Sequence, residues 1–113
     1  MQNYKGIIIE ESLEDNRILN KLNIIKFEIT KEENPQDRWH LYTVKVFDKE
    51  ISLLSNIIKN KWYMHFWKNK KVIVIFKNKK FELEYNNKES WKPAIEYGLS
   101  LGIPLEQLDF PID

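Results

Sequence analysis

In 113 residues the chain has no cysteine, only three glycines and only two histidines. Without cysteine there is no disulfide, no thiol nucleophile and no thiolate metal site, and a reducing compartment is the natural setting. With Gly6, Gly98 and Gly102 as its only glycines, the chain has no phosphate-cradling loop and no Gly-x-Ser-x-Gly elbow. His40 and His65 stand far apart in sequence and match no metal-ligand spacing, so no metal and no cofactor is expected. No apolar run approaches the roughly 20 residues of a membrane span. The first residues, Met1 to Lys5, carry no basic leader followed by an apolar run. The expectation is a cytoplasmic protein with no membrane partner.

Net charge is also small. Lysine and arginine number 18 against 17 acids, a net charge of +1, too little for a domain-wide nucleic-acid footprint. Six lysines do gather between Trp67 and Lys80 with no acid among them. They fall at two turns on opposite ends of one strand, about 20 Å apart at ~3.3 Å per residue. Such lysines read as solvated hairpin tips that discourage edge pairing, and they argue against nucleic acid as partner.

What is present is a length suited to one domain, 1–113, with 42% apolar residues to build its core. Residues 6–10, GIIIE, read as a strand. Ser12 to Asp15 has the form of a capping box opening a short helix over 13–22, weakened by Asn16 and Asn20. Ile25, Phe27 and Ile29 alternate with Lys26, Glu28 and Thr30 in a strand over 24–30. After a polar loop containing Pro35, residues 38–47 form another strand. Asp48 caps a helix over 49–59 with an apolar stripe of Ile51, Leu54, Ile57 and Ile58. Ser90 caps a last helix, which Gly102 and Pro104 end. The tail carries Ile103, Leu105, Leu108 and Phe110 and is expected to fold back on the core.

The segment between the last two helices is an antiparallel meander of three strands. It holds an echo, Trp67-Lys68-Asn69-Lys70-Lys71 against Phe76-Lys77-Asn78-Lys79-Lys80, in which asparagine suits a tight turn. Loops of even length set Trp67 against Val72, His65 against Val74, Phe76 against Phe81 and Val74 against Leu83. One face then gathers Tyr63, His65, Trp67, Val72, Val74 and Phe76, and His65 becomes a neutral core histidine bonded to a backbone or hydroxyl group. The other face carries Trp62, Met64, Phe66, Ile73 and Ile75, more apolar surface than solvent tolerates.

The stretches "IIIEESLEDNRIL", "RWHLYTV", "WYMHFW" and "YGLSLGIPLEQLDF" resemble those of a small, uncharacterised family of prokaryotic proteins. The resemblance spans most of the chain and implies a compact, single-domain protein of prokaryotic origin. No ligand or catalytic residue carries over from it.

The element order gives an α+β fold: a mainly antiparallel sheet of five to six strands, a C-terminal three-strand meander, and two to three helices packed mostly on one face. The leading functional expectation is a non-enzymatic binding or protein-interaction module, self-associating as a homodimer through Trp62, Met64, Phe66, Ile73 and Ile75. The alternative is a small-ligand protein or enzyme with a pocket near Arg38, His40, Tyr42 or His65. The first three of these share one strand face and would suit an anion.

Overall fold

Alternation of apolar residues produces six strands in the computed structural model, which describes residues 4–112. They are β1 (Tyr4–Ile9), β2 (Asn23–Ile29), β3 (His40–Val46), β4 (Met64–Lys68), β5 (Lys71–Phe76) and β6 (Lys79–Glu84). All neighbours pair antiparallel in one sheet of order β2-β3-β1-β4-β5-β6. With the helices α1 (Asp48–Ile57) and α2 (Lys92–Ser100), this is the expected α+β architecture, but the two helices lie on opposite faces of the sheet rather than mostly on one, because both faces carry apolar side chains that need cover.

Each face of the sheet has its own core. On the first face, Ile51, Leu54 and Ile58 from α1 and its C-terminal end pack on Ile8, Val44, Phe66, Ile73 and Ile75. Leu13 and Leu19 complete that cover. On the second face, α2 and the tail lay Ala94, Ile103, Leu108 and Phe110 over Val72, Val74, Phe76 and Leu83. Phe110 is fully buried against the rings of Trp91, Tyr63 and His65, with centroids at 5.1, 5.7 and 5.8 Å. Leu105 differs from its expected role: it is 60% exposed, because it lies in the turn Leu105–Gln107 that lifts off the core.

The predicted helix over 13–22 forms as a 3-10 helix, Asn16–Lys21. Its cap is Asp15, which accepts from the Arg17 N–H at 3.1 Å. Ser12 instead donates to the Ile9 carbonyl at 2.6 Å, where β1 ends. The weak helix formers at Asn16 and Asn20 fit the tighter, shorter winding. Likewise Asn87, not Ser90, caps the helical turn that leads into α2, accepting from the Glu89 N–H at 3.2 Å.

The first hairpin has the expected pairs, His65 with Val74 and Trp67 with Val72, around a two-residue loop with Asn69 at φ 56°. The second does not. Phe76 lies opposite Lys79 rather than Phe81, and Val74 opposite Phe81 rather than Leu83. The two echoes therefore fold out of phase, and α1 supplies the reason. The Ser55 hydroxyl donates to the Phe76 carbonyl at 2.7 Å and accepts from the Lys79 N–H at 3.2 Å, while the Ser55 carbonyl accepts from the Asn78 N–H at 2.9 Å. These bonds hold a two-residue turn at Lys77-Asn78, with Asn78 at φ 57°. A slip of two leaves every side chain on its expected face, since only odd slips exchange faces.

Gly6 explains how β1 and β4 come together. A Cβ there would stand 2.8 Å from the His65 carbonyl oxygen and collide with the Phe66 ring, which lies over the glycine.

Candidate functional site

The expected interaction patch is interior. Met64, Phe66, Ile73 and Ile75 are all buried in the chain's own first-face core, so they are unavailable to a second molecule. The cover is α1 together with Leu13 and Leu19. Of that set only Trp62 reaches the surface, where its ring meets Trp39 edge-on at 5.4 Å.

The expected anion site is also corrected. Arg38 precedes β3, and its guanidinium donates to the Glu32 and Glu33 carbonyls at 2.7 and 2.9 Å, closing the loop before the strand. His40 and Tyr42 share the first face, but each is matched to a carboxylate. Glu11 accepts from the His40 N–H at 2.9 Å and lies 2.6 Å from the ring Nδ1. Glu10 accepts from the Tyr42 hydroxyl at 2.7 Å and from Asn16 at 2.8 Å. The bond to Glu11 raises His40 above its ordinary value, and the bond to Glu10 raises Tyr42. Burial alone would push Glu11 up, but the His40 N–H and ring outweigh it and hold the carboxyl below the usual range. A place already carrying two carboxylates repels an anion.

His65 sits on the opposite, second face. Its Nε2 is 2.8 Å from the Pro111 carbonyl. A carbonyl only accepts, so Nε2 carries the proton and, in the neutral ring, Nδ1 is left as an acceptor. Burial pushes His65 below its ordinary value, against the smaller opposing effects of Pro111 and Asp109. The ring tilts on Trp67 at 5.3 Å. The histidine thus anchors the tail, and one edge of it belongs to a cleft.

That cleft is the feature sequence reading missed. On the second face α2 and the tail cover β4, β5 and β6 but stop short of β1 and β3. The step between covered and uncovered sheet encloses about 540 Å³. Its floor is Ile7, Ile9 and Leu41; one wall is Trp39 and Trp62; the other is His65, Ile103 and Pro111. Ile7 and Trp39 are 42% and 43% exposed, so the cleft opens to solvent. Polar side chains reach it from Thr30, Lys61, Tyr63, His65, Gln107 and Asp109. The signal available in sequence was Ile7, Ile9, Trp39 and Leu41, apolar residues that repeat at strand period with no helix to cover them.

Among the described residues no three His, Asp or Glu side chains gather into a metal-binding set. Among them, too, no helix is long and apolar enough to cross a membrane. No protein-family model, curated protein or solved structure matches the chain.

Proposed function

We propose that this protein is a binding module whose second-face cleft takes a small, largely apolar molecule with an aromatic or alicyclic ring. The observation that carries this reading is the cleft itself: about 540 Å³, with an apolar floor and largely apolar walls. Pockets for small molecules run to roughly 300–1,000 Å³, mostly apolar, with a few placed polar groups. The paired Trp39 and Trp62 rings supply a stacking wall, and the His65 Nδ1 offers an acceptor to a ligand donor. The cysteine-free composition is in keeping with a cytoplasmic setting, and the family resemblance with a prokaryotic origin. Both belong to this proposal.

The test uses anilinonaphthalene sulfonate as an apolar ring probe. Its fluorescence should rise with the folded protein, and its amide NMR shifts should centre on Ile7, Trp39, Leu41 and His65. Ile7→Lys, at an exposed position on the floor, should remove both effects with far-UV circular dichroism unchanged. Shifts that centre elsewhere, or binding that survives Ile7→Lys, would overturn the assignment.

A further inference from the structure

β2 is an edge strand on which every residue is exposed, yet it reads Asn-Ile-Ile-Lys-Phe-Glu-Ile. Phe27 and Ile29 are 48% and 47% exposed, with Ile24 and Ile25 beside them. The other edge is treated differently. β6 carries Lys79 and Lys80, and its end is closed by Ser90, which accepts from the Glu84 N–H at 3.0 Å, and by Trp91, which donates to the Glu84 carbonyl at 3.1 Å. β2 bulges at Ile25, where the register shifts between Ile24 and Lys26, so its regular edge is residues 26–29, and that stretch is a template for another strand.

Backbone polarity shows which residues of β2 would make that pairing. The Thr30 N–H donates to the Trp39 carbonyl at 3.0 Å. Bonded and non-bonded pairs alternate along an antiparallel ladder, so Glu28 and Lys26 also direct their backbone groups at β3. Phe27 and Ile29 therefore present theirs to the open edge.

We propose that β2 is a homodimer edge, on which a second copy pairs antiparallel about a two-fold axis at Phe27. Outward backbone groups must meet outward ones, which restricts the axis to a residue rather than a gap between residues. An axis at Lys26, the strand midpoint, sets that lysine against itself; an axis at Glu28 sets glutamate against glutamate. At Phe27 the side chains complement one another. Lys26 of each copy lies opposite Glu28 of the other and Phe27 opposite Phe27, all within the regular stretch beyond the bulge. Within one chain Lys26 and Glu28 already meet at 3.5 Å on the same face, exposed and free to exchange partners. An isologous contact of this kind is what a two-fold dimer requires. Two short strands bury less than a standard interface, so the dimer is reversible and forms at high micromolar concentration.

Charge exchange tests the axis directly by sedimentation velocity. Lys26→Glu alone and Glu28→Lys alone each set like charges opposite in both places, and each should weaken self-association at least ~10-fold, the effect of close like charges. Mixing the two variants restores both opposite-charge pairs, so the mixture should form a heterodimer that neither makes alone. Both positions are exposed, and circular dichroism should show each variant folded. In the wild type, the Phe27 amide should gain exchange protection with concentration. A wild type that is monomeric at high micromolar concentration overturns the proposal. So does a mixture that associates no better than its components.

Discussion

Phe110→Ala measures how far the tail belongs to the fold. The ring is fully buried and meets three others, Trp91, Tyr63 and His65. Burying a phenylalanine is worth about 1.5–3 kcal/mol, and its aromatic pairs about 0.5–1.5 kcal/mol each before overlap. The space left behind closes poorly, because β4 and β5 beneath it are held in the middle of the sheet. The expected loss is therefore in the upper part of the ~3–5 kcal/mol seen for such truncations. Against a domain margin of about 5–15 kcal/mol this is a large fraction. With a urea dependence of about 1–3 kcal/mol per molar, the unfolding midpoint should fall by roughly 2 M. Leu105→Ala, at a position 60% exposed, is the control and should stay within ~0.5 kcal/mol of wild type. Tryptophan fluorescence in urea reads both, since Trp91 lies against Phe110. If the two variants shift the midpoint equally, the tail does not pack as described and the cleft wall it forms falls with it.

Ser55→Ala should remove the hydroxyl's bonds to the Phe76 carbonyl and the Lys79 N–H, at about 0.5–1.5 kcal/mol, and speed hydrogen exchange at Lys79. Unchanged Lys79 exchange would show that the second hairpin keeps its phase without α1. The two histidines should titrate on opposite sides of 6.5 in proton NMR, His65 below it through burial and His40 above it through Glu11. The linkage signs are then opposite. The His65 contribution is present above pH 6.5 and lost as pH falls through its depressed folded value; the His40 contribution is present below 6.5 and lost as pH rises through its raised one. Glu11→Gln should bring His40 back toward its ordinary value and leave His65 unmoved; a shift at both would contradict their placement on opposite faces.

Strand and helix identities were determined by the sequence, because they rest on local periodicity that needs no partner. Alternation gave the strands, the 51-54-58 stripe gave α1, and face parity survived even where the second hairpin slipped. That parity put His65 with Val72 and Val74, and it bonds a backbone carbonyl as a core histidine should. Which face is covered, and by what, was decided only in three dimensions. Met64, Phe66, Ile73 and Ile75 look identical in sequence whether α1 or a second molecule lies on them; the position of a helix relative to a sheet depends on the crossing of β1 between β3 and β4, a long-range pairing. The same holds for charge. Arg38, His40 and Tyr42 read as an anion site until Glu10 and Glu11, about thirty residues earlier in the chain, close on two of them. The echo makes the point most sharply. Two nearly identical segments turn in different phase because one of them meets Ser55 and the other does not. Local sequence sets the conformations a segment can adopt, and hydrogen bonds from distant residues choose among them.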